Sequence, residues 1–183
     1  MTERGILMTP ENYGKTEAGT KWMTRRIIKP QPRKQLIHHG EGIWKPGRWT
    51  LTKTKCPFGT VGDRLYVKEA YRFGANWDEF KPSDVPKGCD LTYERDHGDG
   101  FWGKLRSPMF MPKWAARLWL ELTDVRVERL QEISEADAKA EGCSDRLACA
   151  RSMFAELWES INGPESWKRN DWVWVLSFKK VKP

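Results

Sequence analysis

Lys21, Arg25 and Arg26 fall within one short segment, residues 20–28, with Trp22 among them. Cations at such spacing hold phosphates or carboxylates by charge, and arginine adds bidentate hydrogen bonds. Trp22, Trp44, Trp49, Trp77, Trp102, Trp114 and Trp167 also lie in loops or basic stretches. Exposed aromatics interleaved with Lys and Arg are what base stacking requires. Trp22 and Trp114, the latter in Met111-Pro112-Lys113-Trp114, are the best placed to stack a base, although loop tryptophans also pin long loops to a core. Trp119, Trp158, Trp172 and Trp174 sit on periodic faces and are expected in the core.

The charge balance points the same way without deciding it. Against 25 Asp and Glu stand 32 Lys and Arg, a net +7, which favours polyanionic partners through counterion release. A basic surface with no polyanion partner accounts for the charge equally well. Cys56, Cys89, Cys143 and Cys149 form no CxxC pair, so the closely spaced ligand pairs of structural zinc are missing. His38-His39 is read as a solvated pair rather than a metal or acid-base site. With no N-terminal apolar segment and no membrane-length apolar run, the expectation is a reduced, cytoplasmic protein without a membrane role.

These residues need elements to position them, and the 183 residues suffice for one well-cored domain. Thr9-Pro10-Glu11 has the form of a helix start, with Gly19 placed to end the helix. Val61-Gly62-Asp63 predicts a tight turn into a strand from Arg64 to Glu69. Residues 117–127 alternate, with Leu118, Leu120 and Leu122 on one side. Ser134-Glu135-Ala136-Asp137 starts a short helix closed near Gly142. Leu147, Ala150, Phe154, Leu157, Trp158 and Ile161 recur at helical spacing until Asn162-Gly163-Pro164. A final strand, 172–178, reads as buried on both faces. Residues 30–57, with a short strand near 49–52, and 74–112 are irregular.

Gly19-Thr20-Lys21-Trp22-Met23-Thr24-Arg25-Arg26 is similar to the GxKxxExR signature of ASCH domains, in the PUA-like superfamily. Gly19, Lys21 and Arg26 are in place, and Thr24 stands where the family often has Glu. The bacterial ASCH enzymes that hydrolyse N4-acetylated cytidine also carry Thr there. The Gly62-Asp63 turn, the strand from Leu118, the 130–141 segment and Trp174-Val175-Leu176-Ser177-Phe178-Lys179 follow in the family's order. The resemblance implies an α+β fold: one domain over 1–183, a small PUA-like mixed β-barrel with flanking helices. Residues of about 30–57 and 74–112 would be two long loop insertions. It also implies a bacterial host and a phage or prophage origin.

In the amidohydrolases of that family a Lys, a Thr and a Glu carry the reaction, and the resemblance assigns the first two to Lys21 and Thr24. A Thr hydroxyl becomes nucleophilic when an adjacent base takes its proton, and a desolvated lysine can be that base. On a helical turn the two would share a face at i, i+3. The family's glutamate column falls on Lys139, which cannot act as a carboxylate. Glu141, two residues later, and Glu69 are the candidates to replace it. Arg25, Arg26, Trp22, Lys68, Tyr71, Lys113, Trp114 and Arg117 are the candidate contacts to substrate or nucleic acid. The expected activity is hydrolysis of an N-acylated, cytidine-type base, for which no metal or organic cofactor is needed. The expected partners are a nucleoside, RNA, or single-stranded or modified DNA. Two alternatives stay open: a non-catalytic reader of RNA or modified DNA, and a single-stranded RNA nuclease.

Overall fold

A computed structural model describes residues 1–32, 37–39, 42–44, 55–96, 100–143 and 149–182. The elements in chain order are β1 (Glu3–Leu7), α1 (Pro10–Glu17), β2 (Met23–Ile27), β3 (Ile37–His39), β4 (Gly42–Trp44), β5 (Arg64–Lys68), β6 (Tyr71–Phe73), β7 (Leu91–Tyr93), β8 (Trp119–Arg129), α2 (Glu135–Ala140), α3 (Ala150–Asn162) and β9 (Trp172–Val181). No helix among the described residues is long and apolar enough to cross a membrane.

The architecture is α+β, built on a mixed five-stranded sheet of order β1-β5-β8-β9-β2. β1 runs parallel to β5, and the other neighbours are antiparallel. The long β8–β9 ladder is its spine, interrupted by a bulge between Leu122 and Asp124. Residues 3–7 and 23–27 were not legible as strands, because charged and polar positions break their alternation. Among the described residues no backbone ladder joins β1 to β2, so the expected barrel is not closed into a hydrogen-bonded ring. What spans that seam is a side chain: Arg26 Nη2 of β2 donates to the Leu7 carbonyl at 2.5 Å.

Both sheet faces are buried. Trp174, Leu176 and Phe178 join Ile6, Leu65, Leu120, Leu122 and Tyr13 of α1 in one cluster. Val173 and Val175, pointing the other way, meet Leu130, Ile133, Ala138, Phe154 and Trp158 beneath α2 and α3. Each fully buried large aliphatic or aromatic chain contributes about 1.5–3 kcal/mol. A third cluster, including Tyr71, Phe73, Val85, Met111 and Trp119, lies under the 74–112 stretch, where β6 and β7 form a small hairpin. Val85 and Met111 of that stretch thus pack against Tyr71, Phe73 and Trp119 from outside it. Of the 30–57 excursion, β3 and β4 form a hairpin, while the strand expected near 49–52 lies outside the described residues.

The expected caps are present. Thr9 Oγ1 accepts from Asn12 N at 3.3 Å, and Ser134 Oγ from Asp137 N at 3.1 Å. α3 begins at Ala150, and Leu147 lies outside the described residues. Asp63 fastens the start of β1 to the turn before β5: its carboxylate accepts from Thr2 N at 2.6 Å and Thr60 N at 3.0 Å.

Candidate functional site

Lys21 does not sit on a helical turn with Thr24. α1 ends at Glu17, and Gly19 at φ +78° turns the chain so that Lys15 O accepts from both Thr20 N at 2.9 Å and Lys21 N at 3.1 Å. The backbone then passes between α2 and β9: Trp22 N donates to Ala140 O at 3.0 Å, and Trp22 O accepts from Phe178 N at 2.9 Å. Thr24, Arg25 and Arg26 follow on the edge strand β2. Thr24 and Arg26 are cross-strand partners of Leu176 and Trp174, and Arg25 faces the other way as the partner of Val175.

Because β2 is an edge, one cavity wraps it. About 260 Å³ lies at the β1–β2 seam, bordered by Lys21, Thr24, Arg25, Arg26 and Glu141 on one side and by Phe154, Leu157, Trp158 and Ile161 of α3 on the other. A charged wall thus faces an apolar and aromatic one, the usual composition of a small-molecule site.

Glu141 is the carboxylate that meets Lys21. Its Oε2 lies 2.5 Å from Lys21 Nζ, which also donates to Glu141 O at 2.9 Å, and both side chains are nearly inaccessible, at 2% and 3%. Gly142, at φ +84°, makes this approach possible: a Cβ there would lie 2.9 Å from Lys15 Cδ and 3.3 Å from Lys21 Cβ. Arg25 shares the carboxylate through Nη1 at 3.3 Å, and its Nη2 meets Asp137 at 2.7 Å and Glu128 at 3.0 Å. Arg126 bonds the same Asp137 at 2.7 Å. Arg25 thus holds α2 against β8 while also bordering the cavity. Buried ions persist only when paired and hydrogen-bonded, and this network meets that condition.

Thr24, on the same cavity, is 5% exposed. Burial pulls the Arg26 guanidinium below its ordinary pKa, with Glu141 opposing the shift. Four polar atoms on cavity-lining residues are buried without partners among the described residues: Asn12 Oδ1, Arg25 Nε, Arg26 Nε and Trp158 Nε1. Orphans of this kind are rare in folded proteins and cost about 1–3 kcal/mol each.

The remaining candidates are elsewhere. Glu69 is not beside Lys21; Arg117 holds it through two bonds of 2.9 Å. Tyr71 is fully buried and donates to Phe110 O at 3.1 Å, so it cannot contact a ligand as expected. Trp114 stacks on Phe73 with ring centres 6.0 Å apart, which makes it a loop anchor instead of an open stacking platform. Lys68 donates to Met109 O at 2.9 Å, and Lys113 pairs with Glu3. Trp22 alone of the proposed stacking pair is open, at 50% exposure. Asn12 and the α3 residues were missed because helical periodicity assigns such positions to packing; Asp137 and Glu128 were missed because they resemble ordinary surface acids.

No protein-family model matches the sequence, and no curated protein matches it. Among solved structures, the chain is similar along its full length to protein EF3133 from Enterococcus faecalis, of family DUF984, with 81% of that chain covered, 10% identity and a TM-score of 0.46. It is likewise similar to an ASCH domain from Lactobacillus crispatus, with 81% of that chain covered, 13% identity and a TM-score of 0.42.

Proposed function

We propose that this protein is a hydrolase acting on a nucleoside or nucleic-acid base that carries an N-acyl group, an N-acylated cytidine being the best match. The observation that supports the reading is the buried Lys21–Glu141 pair lining the same cavity as Thr24, a cavity with one aromatic wall. Glu141 Oε2, 2.5 Å from Nζ, is placed to take a proton from the lysine. The neutral amine then removes the Thr24 proton as the oxygen bonds to the acyl carbon. The C–N bond breaks with that proton passing from Lys21 to the departing base nitrogen. Water attacks the resulting threonyl ester, releases the carboxylic acid and restores the hydroxyl. Arg26 Nε and Trp158 Nε1, desolvated and unpaired among the described residues, are donors available to the acyl oxygen or the base edge, where such groups stabilise developing charge.

A second reading is a binding module without turnover. It is favoured by the double hold of Glu141 on Lys21, through carboxylate and carbonyl together, which suits a fixed ammonium donor. Incubation with N4-acylated cytidine, unmodified nucleosides and short oligonucleotides, followed by mass, separates the two. Release of the acyl group, reduced by roughly 10²-fold or more in Lys21→Ala and Thr24→Val, supports the hydrolase. Salt-sensitive binding of an unchanged ligand supports the reader and rejects the hydrolase.

A further inference from the structure

Lys21, Arg25, Arg26 and Lys29 all border the cavity at the β1–β2 seam, and Glu141 is the acid that borders it with them. Lys21 takes Glu141 at 2.5 Å, and Arg25 takes Asp137 at 2.7 Å and Glu128 at 3.0 Å. Arg26 is not answered in this way. Its Nη2 reaches a neutral acceptor, the Leu7 carbonyl, and Glu141 acts on it from beyond ion-pair contact. Lys29 is exposed and has no ion pair among the described residues.

Arg26 Nε is also buried with no partner among the described residues. A guanidinium stripped of water and given one carbonyl is short of both hydrogen bonds and countercharge, and a bound anion supplies the two together. The acids behind the wall do not fill the gap. Arg126 shares Asp137 and Glu128 with Arg25 and takes Asp124 besides, so with these four residues counted the cavity wall still holds one positive charge in excess. A proton passed from Lys21 to Glu141 leaves that balance unchanged.

Thr24 and Arg26 stand two residues apart on one face of β2, about 7 Å along the strand. A ligand whose acyl amide meets Thr24 therefore brings a different part of itself beside Arg26. Of the two unpaired donors on this wall, Trp158 Nε1 is neutral and suits a carbonyl oxygen, whereas the Arg26 guanidinium suits an oxyanion. We propose that Arg26 and Lys29 form a phosphate subsite of this cavity, so that its ligand is a nucleotide and not the free nucleoside. A phosphate monoester carries about −1.5 to −2 charges at neutral pH, which two cations without carboxylates match. The inference rests on the reading of the cavity as a nucleoside site.

The test compares the binding of cytidine and of cytidine 5′-monophosphate by titration calorimetry at low salt. The nucleotide should bind roughly tenfold tighter or more, the worth of a charged hydrogen bond, and added salt should narrow the difference. In Arg26→Gln the ratio of the two affinities should collapse toward one. In Lys29→Gln, at an exposed position whose change spares the fold, it should fall about two- to fivefold. Equal affinities overturn the proposal, as do a preference that survives Arg26→Gln and a failure to bind either ligand. Should Arg26→Gln not fold, an unchanged ratio in Lys29→Gln overturns it instead. A short oligocytidylate that binds better than the mononucleotide, through Arg26, traces the phosphate to a strand; the reverse order traces it to a free nucleotide. Acyl release from N4-acetylcytidine and from its 5′-monophosphate at equal kcat/KM overturns the subsite and leaves the hydrolase standing. Phosphate-dependent binding without acyl release rejects the hydrolase and leaves the subsite standing.

Discussion

Glu141 lies 120 residues from Lys21 in sequence, yet its carboxylate sits 2.5 Å from the lysine ammonium with both side chains buried. The same carboxylate also meets Arg25 at 3.3 Å. Glu141→Gln therefore leaves two buried cations short of countercharge, and a loss of about 3–5 kcal/mol is expected. Urea unfolding checks it. Lys21→Met should cost less, because Arg25 still neutralises Glu141; equal losses would show that the carboxylate does not serve both cations.

Gly142 carries a second prediction. A left-handed backbone disfavours any L side chain by about 1–2 kcal/mol, and an added Cβ would press on Lys15 and Lys21. Gly142→Ala should lower stability by at least that amount. If the proposed hydrolysis of an acylated nucleoside occurs, Gly142→Ala should also lower it, through displacement of Lys21, when assayed well below the melting temperature.

How much of this could be read from sequence is clearest at the ends of the network. Thr9, Ser134 and the 150–162 helix were legible because caps and helical periodicity are local signals. β1 and β2 were not: both are edge strands carrying consecutive charged residues, Glu3-Arg4 and Arg25-Arg26, so neither alternates. Lys21 and Thr24 were found by motif, but the choice between Glu69 and Glu141 depended on a contact spanning most of the chain. Arg117 engages Glu69 away from Lys21.

Trp22 and Trp114 should separate binding from stability. Trp114→Ala empties part of the third apolar cluster and should cost about 3 kcal/mol. Trp22→Ala, at a half-exposed position, should leave the melting temperature within a degree or two. If single-stranded oligonucleotide is bound, it should weaken binding by about 1–3 kcal/mol, the worth of one stacked base. Thermal melts and binding isotherms on both variants decide this.

The Asp63 carboxyl gives the acid limit. Hydrogen bonds from the Thr2 and Thr60 backbone hold it at about 2, below its ordinary value of 3.8. A carboxyl lowered on folding stabilises the native state above its unfolded pKa, and that contribution is lost as pH falls through the folded one. Melting temperature should therefore drop between about pH 4 and pH 2 by an amount that Asp63→Asn removes. The variant should also be the less stable at neutral pH. A pH series of thermal melts on both proteins provides the comparison.

The Arg26 bridge to Leu7 casts the cleft as an unmade strand pairing. Among the described residues β1 and β2 each keep an unladdered edge toward the seam, and the cavity occupies the place where ring closure would put a ladder. Any change that zipped the two strands together would gain backbone hydrogen bonds and erase the mouth of the site. Selection for a more rigid sheet and selection for an open cleft thus act on the same few residues in opposite directions, with one guanidinium latching the gap while leaving room inside it.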